Sequence, residues 1–396
     1  MLNVVVFGFG NRAQKYVSCL DADCRVLAVV EPDPAHRAFA IECCHPDHCF
    51  ASPQEFFDSG LEPDAVMVAS PDNTHYDIAS RCIERGWPML LEKPVATTVG
   101  QCRDLAARSR EKGTPVSVCY ELHRYPLYAK LKEIALEGSL GKLLSIKHSV
   151  DVGIDRYTHS YVRGYWAKAE DCGPITLTKL CHDVDLFIWM LGQAPDSWTS
   201  SGSLSLFNKK NRPEGAAERC TACPLEKSCA YSAVDLYLRR LCWTRNFVTG
   251  QGESEREMVE RMLATTNYGK CVFACDNDVN DTQTVNMNFP DGTRVQIDMF
   301  CGSRDGFRKT LMQFEKGTLE ADGENIKLNG EPICSFPGIE SEPLHAGADK
   351  TLVADFLDSV RGGDIFPSSL EYALSSHLVC LISQSPEGTP QAPDKP

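Results

Sequence analysis

Three places along the chain carry residue types at spacings that chemistry can use. In GFGNRA, Gly8, Gly10 and Ala13 form G-x-G-x-x-A between an apolar run and a helix-forming one. Gly8 permits a tight turn, Gly10 lets backbone approach a pyrophosphate, and Ala13 allows close packing of helix on sheet. Phe9, Asn11 and Arg12 complete the turn, and Glu31 ends the next apolar run. A carboxylate there accepts hydrogen bonds from the adenosine ribose and repels a 2′-phosphate, which predicts NAD rather than NADP. Arg37 is the nearby cation that would favour NADP.

The second place is PMLLEKPVA, where Glu92, Lys93 and Pro94 follow a short apolar run. At the carboxyl end of a parallel strand, Lys93 would stabilise an alkoxide as hydride leaves its carbon; the plainer reading is a surface lysine before a turn. The third is TKLCHDVDLFIWMLG. At about 100° per residue, Leu180, Val184, Phe187, Ile188 and Leu191 share a stripe and His182 lies opposite, near Lys179. A histidine facing a cleft can take a hydroxyl proton, and Asp183 and Asp185 are available to orient it.

The cysteines of RCTACPLEKSCAY and YGKCVFACDND ask for separate treatment. Cys220-x2-Cys223-x5-Cys229, joined by Cys275, has the spacing of a structural zinc site. Reduced thiols in a loop explain the same residues equally well. An iron–sulfur cluster is disfavoured because nothing else in the sequence implies electron transfer.

These residues need a scaffold, and the hydrophobic pattern supplies one. Five apolar runs, LNVVVF, CRVLAVVE, DAVMVASP, PMLLEKP and PVSVCYEL, alternate with helical stretches up to residue 122. That rhythm predicts an α/β fold with a doubly wound parallel sheet of Rossmann type. From 123 to 383 the pattern changes to longer runs such as KLLSIKHSVDV, TVNMNFPDGTRVQIDMF and TLMQFEKGTLEAD. A second, α+β domain with an open, mainly antiparallel sheet is expected there, with helices around 174 to 191 and 349 to 361. The proline-rich end, 384 to 396, reads as a disordered tail.

GFGNRA, VASPDNTH, LLEKP and KLCHDVDLFIWMLG together resemble the glucose–fructose oxidoreductase, inositol dehydrogenase and rhizopine catabolism family (Gfo/Idh/MocA). The resemblance implies NAD(P)-linked redox chemistry on sugars, inositols or related polyols, in dimers or tetramers associated through the C-terminal sheet. It also implies that Ser70, Pro71, Asn73, His75 and Glu92 lie near the cofactor. HSYVRGYW resembles a substrate-side motif of part of the family and nominates His159, Arg163, Tyr165 and Trp166 for ligand contact, with internal packing an equal alternative; Arg124 and Tyr125 could contact the nicotinamide side of the cleft or serve interdomain packing. One departure stands out: Thr178 occupies the place of an aspartate that commonly joins the lysine and histidine, and Lys179 becomes the replacement candidate. Two other readings stay open, a redox-assisted NAD-dependent glycosidase and a non-catalytic dinucleotide sensor.

Bulk properties exclude some partners. With 54 acidic and 40 basic side chains the net charge is −14, which disfavours nucleic acid and anionic membranes. Apolar runs of about 18 residues are lacking and the first residues suit a buried strand, so a cytoplasmic protein is expected.

Overall fold

The computed structural model describes residues 1–244, 250, 252–339, 343–363 and 369–383. The expected tail at 384–396 lies outside the described residues. The first five apolar runs form strands as predicted, and a short sixth, His48–Phe50, joins them at the edge. In chain order these are β1 (Leu2–Phe7), β2 (Cys24–Val30), β3 (His48–Phe50), β4 (Ala65–Val68), β5 (Met89–Leu91) and β6 (Val116–Val118). All pairs are parallel, in the order β3-β2-β1-β4-β5-β6. Val4, Val5, Val6 and Phe7 are fully buried, as in a sheet covered on both faces. The order reverses between β1 and β4, and open α/β sheets bind ligands in the crevice beyond the carboxyl ends of the strands at such a switch point.

The second sheet contains β7 (Leu143–Asp151), β8 (Ser197–Ser203), β9 (Thr282–Asn288), β10 (Arg294–Phe300), β11 (Phe307–Phe314), β12 (Gly317–Ala321), β13 (Asn325–Leu328) and β14 (Glu331–Ser335). Its order is β14-β13-β12-β11-β7-β10-β9-β8, antiparallel except for the β7–β10 pair. The hairpin at FPDGT forms with Asn288 opposite Arg294. The run TLMQFEKGTLEAD holds two strands: polar Glu315 and Lys316 turn the chain and Phe314 pairs with Gly317. The helix expected near 174–191 is interrupted as well. It divides into Ile175–Thr178 and Cys181–Leu191, and at Lys179 φ reaches −117°, away from helical values.

Two late helices return to the first domain. Ala348–Val360 buries Leu352, Val353, Phe356 and Leu357 against Val4, Val6 and Phe9. Leu370–Leu381 packs on the helix Val99–Lys112, and Ser369 bridges to Ser117 of β6. These contacts clamp the second domain over the crevice. Between β8 and β9 an insertion builds its own small core from Val234, Tyr237, Met258 and Met262. Among the described residues no helix is long and apolar enough to cross a membrane.

Candidate active site

On the first-domain side the turn after β1 has the required shape. Gly8 has φ +82°, and a Cβ there would lie 2.7 Å from the Ala69 carbonyl oxygen. Around Gly10 a Cβ would meet no atom within 4 Å, so backbone faces open space where a pyrophosphate fits. Glu31 is nearly buried just beyond β2 and accepts from the Phe9 amide at 2.7 Å and the Asp33 amide at 2.9 Å. Its carboxylate is thereby fixed where an adenosine ribose would lie. Arg37 turns back to donate to the Glu31 and Pro32 carbonyls. These residues fit a dinucleotide.

The neighbouring loop after β4 is cross-braced. His75 bridges the Pro94 and Ser70 carbonyls at 2.7 and 2.9 Å, which ties the ends of β4 and β5 together. Ser70 bonds Thr74, Asn73 accepts from the Tyr165 hydroxyl at 3.1 Å, and Asp72 accepts from Trp166 Nε1 at 2.7 Å. Pro71 leads into this turn. Arg12, expected at the cofactor, is spent on two carboxylates: Nε donates to Glu92 at 2.7 Å and Nη2 to Asp349 at 2.8 Å. Tyr16 adds a 2.5 Å bond to the same Glu92 oxygen.

Across the crevice the chain brings Lys93, Lys179 and His182 together. Lys93 Nζ donates to the Thr178 carbonyl at 3.0 Å, immediately before Lys179. Burial opposes the charge on Lys93, yet Cys181, Glu92, Tyr161 and Asp72 hold its pKa above the ordinary lysine value. His182 goes the other way: burial, with Lys93 and Arg308, pushes it well below the ordinary histidine value. Burial and the cations Arg308, Arg156 and Lys93 press Lys179 down to about 7, against the pull of Asp183. At neutral pH Lys93 is an ammonium and His182 a neutral imidazole.

Glu121, which sequence reasoning passed over, completes the arrangement. Its Oε2 lies 3.5 Å from His182 Nδ1 and its Oε1 lies 4.0 Å from His345 Nε2. Both Glu121 Oε2 and His182 Nδ1 are buried without a hydrogen-bond partner. His345 in turn bonds Asp349 at 2.9 Å, which returns to Arg12 and Glu92. The position directly after the last Rossmann strand, in YELHRYP, was the available signal for Glu121. Arg308, on β11, had none in the sequence.

Several expected contacts fall elsewhere. Asp183 and Asp185 do not orient His182: Arg308 holds Asp183 at 2.6 Å with His148 at 3.1 Å, and His123 holds Asp185 at 2.5 Å. Both carboxylates lie on the buried side of the helix, where they anchor it. His159 sits in an aromatic box, bonded to the Tyr237 hydroxyl at 2.6 Å and stacked on Tyr268 at 4.9 Å. Burial takes its pKa down to about 4. Arg163 faces the insertion, bonding the carbonyls of Lys270 and Tyr231. Trp166 reaches the loop after β4 through Asp72. Tyr125 caps the helix Pro126–Leu136, its ring 5.9 Å from Tyr128, and Arg124 pairs with Asp355 at 2.6 Å.

The expected zinc quartet needs correction. Among the described residues no three His, Cys, Asp or Glu side chains form a group able to hold a metal ion. Cys275 gives its thiol hydrogen to the Cys271 carbonyl at 3.3 Å and faces a different cavity from Cys220, Cys223 and Cys229. The four-residue offset from Cys271 to Cys275 turns the latter away.

Comparison with known proteins agrees with this geometry. A family model described as "Oxidoreductase family, NAD-binding Rossmann fold" matches residues 2–120, and its "C-terminal alpha/beta domain" matches residues 132–381. The chain is 25% identical to the Bacillus subtilis protein YteT, across 92% of this chain and 91% of that one. It is 31% identical to inositol 2-dehydrogenase 2 of Saccharopolyspora erythraea over 48% of this chain and 54% of the relative. Among solved structures, the WlbA dehydrogenase of Bordetella pertussis, in complex with NADH and UDP-GlcNAcA, shares the fold with a TM-score of 0.66 at 15% identity, covering 96% and 95% of the two chains. The two matched domains span nearly the whole sequence, and the chain belongs to the Gfo/Idh/MocA oxidoreductase family.

Proposed function

We propose that this protein is an NAD-dependent dehydrogenase that acts on a secondary hydroxyl of a sugar, glycoside or cyclitol. The observation that carries the reading is that Lys93, just after β5 in the same sheet as the Gly8–Gly10 turn, reaches the Thr178 carbonyl beside Lys179 and His182, with its own charge held and His182 kept neutral by burial. Glu31 and the Gly8–Gly10 turn would hold the dinucleotide, with NAD favoured by the Glu31 carboxylate. When bound, the nicotinamide supplies the hydride acceptor, and the protein supplies position and electrostatics.

The residues divide the proton work. Lys93 donates a hydrogen bond to the substrate oxygen and stabilises the negative charge that grows there. His182 Nε2 takes the hydroxyl proton, while Nδ1 faces the Glu121 carboxylate, which stabilises the imidazolium as it forms. Lys179 stands in for the usual acidic member as a second substrate contact whose charge depends on pH. Nineteen free thiols suit a reducing compartment, the cytoplasm.

The test is a panel of inositols, aldoses, amino sugars and alkyl glycosides, with NADH fluorescence and mass spectrometry of products. A dehydrogenase accumulates NADH in step with a product two hydrogens lighter. A cleaved glycoside with no NADH would mean the redox-assisted glycosidase instead, and NAD binding with neither product would mean a sensor.

A further inference from the structure

A cavity of about 450 Å³ lies where the insertion meets the segment that follows the π turn, residues 162–168. Small-molecule sites span roughly 300–1,000 Å³, so its size suits a ligand. Gly164 lets the chain pass there, since a Cβ at this position would lie 2.5 Å from the His159 carbonyl oxygen. Hydrogen bonds join the two walls. Arg163 Nε donates to the Lys270 carbonyl at 2.8 Å, the Asp278 amide to the Ala167 carbonyl at 3.0 Å, and the Ala169 amide to the Asp278 carboxylate at 2.8 Å. The walls are thereby fixed before a ligand arrives, which lowers the cost of binding one.

The lining combines polar ends with aromatic rings. Lys168, Asp171, Asn267 and Lys270 supply charges and an amide, and Tyr165 and Tyr268 supply the rings. Among the described residues, the side chains of Asp171, Asn267 and Lys270 make no hydrogen bond or ion pair, which leaves them open to a ligand. With Arg163 and Asp276 included, three cations stand against two carboxylates. Such a near balance suits a neutral, hydroxylated molecule better than a phosphate or a hydrocarbon. Tyr165 is 40% exposed, so its ring offers apolar surface to the C–H face of a sugar.

Tyr165 also connects this cavity with the candidate active site. Its hydroxyl donates to Asn73 in the loop after β4, and the next residue, Trp166, donates to Asp72 in the same loop. Asp72 is one of the groups that keep Lys93 charged. We propose that the cavity is the subsite for the second sugar ring of a glycoside whose first ring is oxidised beside Lys93 and His182. The inference rests on the dehydrogenase reading and narrows its substrate class to disaccharides and longer glycosides. The glycosidic linkage passes Tyr165, Asn267 and Lys270 donate to hydroxyls of the second ring, and Asp171 accepts from one. The second ring undergoes no chemistry; its contacts position the first.

The test measures NADH formation by the full chain with methyl glycosides of glucose, galactose, mannose and xylose, each against disaccharides that carry the same sugar at the non-reducing end. For a sugar that is oxidised, kcat/KM should be about tenfold higher or more with the disaccharide. In Lys270→Ala and Asn267→Ala that advantage should shrink by about threefold or more. Each ratio is taken within one preparation, so any loss of folded protein cancels. Equal kcat/KM for the two kinds of substrate, an advantage unchanged in both variants, or NADH from inositols alone overturns the subsite and leaves the dehydrogenase reading standing. A chain that forms no NADH with these sugars or with the wider panel overturns both.

Discussion

On the first-domain wall of the crevice, opposite charges are in contact: Arg12 lies 2.7 Å from Glu92 and 2.8 Å from Asp349, and Glu92 steadies Lys93. On the second-domain wall, His182 has Glu121 no nearer than 3.5 Å, and Lys179 faces Arg308, Arg156 and Lys93 with only Asp183, already held by Arg308, in its favour. Burial therefore has opposite outcomes on the two sides. Paired groups keep their charge in low dielectric, and unpaired ones move toward neutrality. The first wall supplies a fixed positive charge for an alkoxide; the second supplies a neutral imidazole and a lysine that titrates near neutral pH.

Removing the proton acceptor should break this contrast most severely. We expect His182→Ala to lower kcat by about 10²- to 10⁴-fold with NAD affinity unchanged, read by steady-state kinetics and fluorescence titration. A loss confined to KM would place His182 in substrate binding alone.

Next in size is a structural effect beneath the second wall. Arg308→Gln strips Asp183, a fully buried carboxylate held below its usual range, of its main counter-charge. Denaturant unfolding should show a loss of about 3 kcal/mol at neutral pH. Because the folded-state pKa of Asp183 is depressed, its contribution to wild-type stability exists above the unfolded carboxylate value. It falls away as pH drops below that value.

The smallest effect sharpens the comparison. Lys179 titrates near 7, so raising pH through 7 removes a positive charge beside His182 and makes the imidazole a better proton acceptor. Substrate oxidation should speed up across that range by roughly tenfold. In Lys179→Met the inflection should vanish. The same variant should flatten the rise in folding stability between about pH 7 and the ordinary lysine value, where only the unfolded chain carries this proton.

Much of this was legible from local patterning. The G-x-G-x-x-A turn, Glu31 and the LLEKP lysine each depend on a strand and the few residues after it, so the apolar runs placed them. The cross-domain contacts were not legible. Arg308 meets Asp183 across 125 residues and Arg12 meets Asp349 across 337, and no periodicity encodes such pairings. His159 and Arg163 misled because HSYVRGYW winds through an irregular π turn, Thr158–Val162, that directs both toward the insertion. At Cys275 a one-turn offset from Cys271 changed which cavity the thiol faces.

The central claim is that a positive charge on Lys93 stabilises the substrate oxygen during hydride transfer. The most direct measurement is the single-turnover rate of NADH formation in Lys93→Met, with saturating NAD and the substrate found by screening. A fall of about 10²- to 10³-fold with NAD affinity intact is predicted. A rate equal to that of the unaltered protein would contradict the account.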